Sequence, residues 1–324
     1  MKMQIKLYEN LLDALREKVP KKSELVKIVT DTLHIEKESA YRRLRGEIPF
    51  TLDEAGIIAA RMEISMDRLI SKNHRDGADR GHVAISLHTG LGDYDYSSLG
   101  KIVEMYEKIS YEEDSECGMA MNSIPPIFYM RHPYLRRLFL FKWSQRYDND
   151  ESHSYHEFRA NDKLWEMQDR LNKSYGRVQR VSCVIDQTII RSVITDINYY
   201  RTVKLLRPED VEHIVQDLYD LINEMEYIGN HGKLPGGNGI FELCLSDISI
   251  GTSYQYLCGG KNNCISSITT FVIQSAISNQ QDAYLKIKTW VHYLRRMSTL
   301  ISIVGSKERV EFLERQRELV ASLI

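Results

Sequence analysis

Between residues 5 and 70 the chain breaks into short helical patterns joined by connections of only a few residues. Such brevity forces neighbouring helices to pack on one another at once, so this stretch can only be a compact helical unit. Leu7, Leu11, Leu12 and Leu15 recur at helical spacing over 5–19, and Pro20 ends the run. Ser23 is expected to cap a second helix that reaches Leu33 and buries Leu25, Ile28 and Val29. A third helix is expected over 37–45, closed by Gly46 as its left-handed cap. After Pro49, Thr51 and Glu54 form a capping box ahead of Leu52, Ala55, Ile58 and Ala59. Ser65 starts a short fifth helix with Met66, Leu69 and Ile70.

The third helix, Lys37-Glu38-Ser39-Ala40-Tyr41-Arg42-Arg43-Leu44-Arg45, carries four cations in nine residues. Ala40 and Leu44, one turn apart, give it a narrow apolar face for packing. Long donors on the other faces are what a helix needs to reach base edges and phosphates in a major groove. The expected contacts are Lys37, Glu38 and Ser39 to base edges, Tyr41 and Arg42 to bases or phosphates, and Arg43 and Arg45 to the backbone. The first 76 residues hold 15 Lys+Arg against 13 Asp+Glu, while the whole chain has a net charge of -2. The electrostatic footprint of one such unit is therefore modest, and two copies reading two half-sites would double it.

The run LHIEKESAYRRLRGEIPFTLDEAGIIAARMEISMDRLI resembles the Cro/lambda-repressor-like (XRE-type) helix-turn-helix domain. The likeness lies in Leu33-His34-Ile35 as the turn, Gly46, Pro49, the Thr51 cap and the Ile64-Ser65-Met66-Asp67-Arg68-Leu69 tail. It departs from that pattern where His34 takes the place of the usual turn glycine and Arg43 that of an apolar residue. The resemblance implies sequence-specific binding of double-stranded DNA by helix 37–45. The phrase Ala40-Tyr41-Arg42-Arg43-Leu44-Arg45-Gly46-Glu47 is also similar to a subgroup of bacterial regulators in which such a domain precedes a long C-terminal region.

Residues 71–82 are polar with two glycines. The expected organisation is a helix-turn-helix domain over 1–72, a linker over 73–82 and an α+β region over 83–324. In that region Val83–Leu87 reads as a short strand, Leu99–Ile109 as a helix, and the Pro-rich 122–133 as an extended element. The run after Pro133 reads as a core helix. Pro208 opens a long helix with Glu209 and Asp210 in its first turn and Gly229 expected after its end. Val211, Ile214, Leu218, Leu221, Met225 and Ile228 repeat there at 3-4-3-4-3 spacing, the mark of a core helix or a dimer seam. From Phe241 the period changes to two, which predicts three antiparallel strands with a hairpin at 259–263. Two helices, over about 280–303 and 306–322, complete the chain. The expected fold class is mainly α, with C-terminal helices around a small antiparallel sheet. This region is expected to dimerise the chain, with binding of an unidentified small-molecule effector as a second use.

Chemistry-bearing patterns are scarce. Gly229-Asn230-His231-Gly232-Lys233 lacks the spacing and the hydroxyl residue of a phosphate loop. His153 and His156 lack zinc spacing, and no nucleophile elbow occurs. The expectation is a non-enzyme without metal or cofactor. No stretch is long and apolar enough to span a membrane, and five scattered cysteines fit a reducing, cytoplasmic setting. The alternative use of the helix-turn-helix pattern is docking a protein in an assembly.

Overall fold

The computed structural model describes residues 7–62, 64–71, 86–87, 96–147, 154–260, 263–272 and 274–324. The linker expected over 73–82 lies outside them. The chain divides into two compact units, Met1–Ala84 and Ile85–Ile324.

The first unit holds α1 (Leu7–Lys18), α2 (Lys22–Leu33), α3 (Lys37–Arg45), α4 (Leu52–Arg61) and α5 (Met66–Ser71). Lys21, not Ser23, occupies the N-cap of α2, so Ser23 sits inside the first turn. Thr51 and Glu54 form the capping box of α4. One core joins the helices: Leu11 and Leu15 from α1, Leu25, Val26 and Val29 from α2, Ala40 and Leu44 from α3, Ile58 from α4 and Leu69 from α5. Side chains also stitch the helices through backbone carbonyls. Tyr8 Oη donates to the carbonyls of Arg43 (2.6 Å) and Ile48 (3.0 Å), and Asn10 Nδ2 to that of Leu69 (2.6 Å).

His34 is left-handed, with φ 53° and ψ 41°, because the chain must reverse between α2 and α3 in three residues. A side chain in that region costs roughly 1–2 kcal/mol that glycine avoids. Glycine in turn loses more chain entropy on folding. His34→Gly should therefore gain about 1 kcal/mol net. Amide-exchange protection in α2 and α3 of the full chain should rise about fivefold. Unchanged or reduced protection would show that His34 makes contacts worth as much as the relieved strain.

The second unit is a helix-covered mixed sheet. Its elements are β1 (Ser86–Leu87), α6 (Tyr96–Ser110), β2 (Glu116–Met121), α7 (Pro126–Tyr129), α8 (Pro133–Tyr147), α9 (Asp162–Arg177), β3 (Arg180–Ile185), α10 (Ile189–Thr202) and α11 (Pro208–His231). They continue with β4 (Ile240–Ser246), β5 (Tyr254–Gly259), β6 (Asn263–Phe271), β7 (Gln274–Ser278), α12 (Gln281–Arg296), β8 (Ser298–Leu300) and α13 (Ser306–Ala321). The strand order is β1-β7-β6-β5-β2-β3-β4-β8. The central β2, β3 and β4 run parallel, and every other pairing is antiparallel.

This corrects the expected small antiparallel sheet. The strands at 240–246 and 254–259 are not neighbours, because β2 and β3 lie between them. Helices connect β2 to β3 and β3 to β4, as parallel neighbours require. Residues 298–300, expected as helix, form the edge strand β8 against β4. The proline-rich 122–133 contains the one-turn helix α7.

Alternate residues of the central strands serve two cores. Met119, Cys183, Leu243 and Leu257 point into a large core with α6–α11 and α13. Ala120, Val184, Cys244 and Tyr256 point into a smaller one beneath Tyr284, Ile287, Val291 and Leu294 of α12. All six stripe residues of α11 are buried in the first core, so that stripe is spent within the chain and cannot be a dimer seam. The helix also runs past Gly229 to its left-handed cap at Gly232. Gly229 instead admits Arg309 of α13, whose Cδ would lie 2.2 Å from an added Cβ. Cys258 and Cys264 are direct cross-strand partners in β5 and β6, and burial pushes both thiols above their ordinary range.

Candidate nucleic-acid interface

Ala40 and Leu44 dock α3 on the first unit's core, and this decides what its other side chains face. Lys37, Glu38, Arg42 and Arg45 are exposed, while Ser39 and Tyr41 are half-buried at the edges. Six of the seven expected contact residues therefore have an accessible side chain on one helix. The ring of Tyr41 lies between two cations, Lys22 Nζ at 5.9 Å and Arg45 Cζ at 5.6 Å from its centroid. Lys22, at the first turn of α2, is a neighbour of this surface that sequence reading passed over. The exposed α2 lysine and the α3 helix belong to one surface only through Tyr41, a contact between helices that neither helix's pattern reveals.

Arg43 is different. It points back into the unit, with Nε 3.1 Å and NH2 2.8 Å from the two carboxylate oxygens of Glu54. Glu54 Oε2 also accepts the Thr51 amide at 2.9 Å, so one carboxylate closes the capping box of α4 and clamps α3. The hydrogen bond from Arg43 holds the Glu54 carboxyl below its ordinary range, against the opposing effect of burial. Arg43 was expected on the DNA backbone; its guanidinium is instead engaged by Glu54 and holds the angle of α3.

Glu47 is the local counter-charge. Its carboxylate lies 3.3 Å from Arg45 and 3.7 Å from Arg42, all three side chains being about half exposed. Pairs this open are worth little and exchange easily for another anion. A phosphate can therefore take both arginines at small cost, and the exposed α3 fits the width of a B-DNA major groove.

The second unit contains a polar cavity of about 510 Å³, lined by Arg131, His132, Arg136, Trp165, Asn172 and Glu224 among others. Its charges compensate one another. The buried Glu224 meets Arg131 Nε at 2.7 Å and His132 Nε2 at 3.1 Å. Arg136 donates to Gln168 Oε1 at 2.8 Å and covers the Trp165 ring at 4.1 Å. The buried side-chain oxygen Oδ1 of Asn172 has no hydrogen-bond partner among the described residues. Among the described residues, no group of three or more His, Cys, Asp or Glu could hold a metal ion. None of the described helices is long and apolar enough to cross a membrane.

A short turn, a supported cationic helix and a capped helix behind it define the first unit as a helix-turn-helix-type domain. Residues 5–98 match the BetR domain, a helix-turn-helix-type DNA-binding family, which supports a DNA-binding regulatory role in general terms. No curated protein matches the chain, and no solved structure matches it.

Proposed function

We propose that the chain is a cytoplasmic, sequence-specific transcriptional regulator of the XRE-type helix-turn-helix class, working as a homodimer on double-stranded DNA. The observation that carries this reading is α3 itself. Its apolar face is fixed by Ala40 and Leu44, its angle is held by the Arg43–Glu54 pair, and Lys37, Arg42 and Arg45 are left exposed. Lys37, Glu38 and Ser39 at the helix start take the base edges, Tyr41 and Arg42 a base or phosphate, and Arg45 with Lys22 the backbone. Arg43 acts through Glu54 rather than on DNA. The second unit dimerises the chain, and its polar cavity is where a small effector would act. The chain is not assigned a catalytic role.

The test is fluorescence anisotropy of the full chain against duplex fragments from upstream of its own gene, across a salt series. Log affinity should fall linearly with log salt, with a slope of about -3 to -4 for each domain engaged and about twice that for two. Absence of any salt-dependent complex on every fragment at low salt would overturn the reading in favour of protein docking.

A further inference from the structure

The helix α12 buries one face and leaves apolar residues exposed on its flank and its outer face. Ala283, Tyr284, Ile287, Val291 and Leu294 are buried. Leu285 and Tyr293, 49 and 38% exposed, lie on the outer face, while Trp290 and Met297, 43 and 44% exposed, lie on its flank, where Trp290 also meets the Tyr254 ring edge-on at 6.4 Å. Trp290 and Tyr293 stack with ring centroids 5.2 Å apart, forming a flat aromatic plate. Ile248, 40% exposed, follows Asp247, whose amide donates to the Met297 carbonyl at the end of the helix. Scattered exposed apolar residues need no explanation, but a stacked Trp–Tyr pair at the surface has the composition of an interface centre.

The order of residues along the outer face says what covers it. Asp282, Leu285, Thr289, Tyr293 and Arg296 are all exposed and spaced 3-4-4-3. That spacing is symmetric about Thr289. A second α12 laid antiparallel on a two-fold axis through Thr289 sets each Leu285 against the other copy's Tyr293. The same operation sets each Asp282 beside the other's Arg296. A parallel copy would put like charge on like. Neither Asp282 nor Arg296 makes an ion pair with another described residue, so both charges are available to such a partner. Thr289 is small and its hydroxyl is turned onto its own helix, donating to the Leu285 carbonyl at 2.7 Å. The crossing point is therefore narrow enough for close approach of two helices. An isologous contact demands this self-complementarity, with residue i meeting j and j meeting i.

We infer that two copies of this chain associate through an antiparallel α12–α12 contact centred on Thr289. The contact gives the proposed dimer its interface, now that the α11 stripe is buried; only its use in pairing two half-sites rests on the DNA-binding reading.

The experiment is run on the full chain without DNA, so that failure to bind DNA and failure to dimerise are seen separately. A residue on a two-fold axis meets its own copy. Thr289→Cys, oxidised with copper-phenanthroline, should give an intermolecular disulfide on a non-reducing gel. The exposed control Glu314→Cys on α13 should not, and the unaltered chain sets the background from the native cysteines. In sedimentation velocity, Arg296→Asp should raise the dimer dissociation constant about tenfold, and Asp282→Arg added to it should restore the original value. Circular dichroism checks that each variant is folded. A monomer at all concentrations overturns the inference. So does a dimer that is indifferent to Arg296→Asp, with Thr289→Cys crosslinking no better than Glu314→Cys.

Discussion

Arg42→Ala should weaken binding to the cognate fragment by about 5- to 150-fold, the cost of losing one specific or phosphate contact of about 1–3 kcal/mol. The fold should not notice. Arg42 is half exposed, its ion pair with Glu47 is long at 3.7 Å, and Glu47 is itself half exposed, so the change strands no buried charge there. Surface changes of that kind stay within about ±0.5 kcal/mol in stability. Affinity and stability should thus separate cleanly. Arg43→Ala should couple them instead, because its partner Glu54 is partly buried and also closes the cap of α4. Glu47→Gln supplies the opposite sign. It removes the carboxylate that holds Arg42 and Arg45, so affinity should rise and the salt dependence should steepen. Anisotropy titrations across a salt series, with thermal melts of each variant, read all three. Unchanged affinity in Arg42→Ala would remove α3 from the interface. A drop in affinity after Glu47→Gln would mean that Glu47 touches DNA or shapes the loop rather than masking the arginines.

The first unit was legible because its punctuation is local. Pro20, Gly46, Thr51 and Glu54 each act within a few residues of themselves, so helix ends follow from the chain alone. The support of α3 was legible too, since Ala40 and Leu44 are one turn apart. The fate of Arg43 was not, because its partner lies eleven residues on, across a loop and in the first turn of the next helix. A carboxylate that closes a capping box can also accept from an arginine arriving from the preceding helix, and that is the signal a closer reading would use. In the second unit the failure was one of neighbours. The strands β4, β5 and β6 announce themselves by alternation, yet β2 and β3 separate the first two. Val181–Ile185 is buried along most of its length, and short parallel strands covered on both faces carry no alternation to read. The strand β2 was hidden further by Glu116 at its start and Gly118 within it.

Gly118 carries the other large effect. In the middle of a strand a glycine costs stability, so its presence calls for a physical reason. Gly118 pairs with Tyr256 of β5, and a Cβ built on it would lie 2.1 Å from Tyr256 Cε1 and 2.4 Å from Cζ. The tyrosine ring lies over the bare backbone and cannot swing aside. It is fully buried, and Tyr284 meets it edge-on at 5.7 Å. Its hydroxyl donates to Glu116 Oε1 at 2.5 Å, and Glu116 Oε2 receives Lys288 at 2.8 Å. Burial alone would raise the Glu116 carboxyl; the bonds from Lys288 and Tyr256 outweigh it and hold the group below its ordinary range. Gly118→Ala must therefore displace a core ring and loosen this network. Overpacking costs about 1–3 kcal/mol and the lost hydrogen bond about 1 more. The variant should melt roughly 4–16 °C lower, at about 2–4 °C per kcal/mol for a unit of this size. A glycine retained only for strand flexibility would instead tolerate alanine or gain from it. Tyr256→Leu in the same chain removes the ring that clashes, so the cost of the two changes together should fall well short of the sum of each alone. The sign of the pH dependence gives a second check. A depressed carboxyl adds stability above its unfolded pKa and loses it as pH falls through the folded value. Gly118→Ala breaks the bond from Tyr256, so its deficit against the unaltered chain should narrow on acidification. A deficit that is independent of pH would place the damage in packing alone.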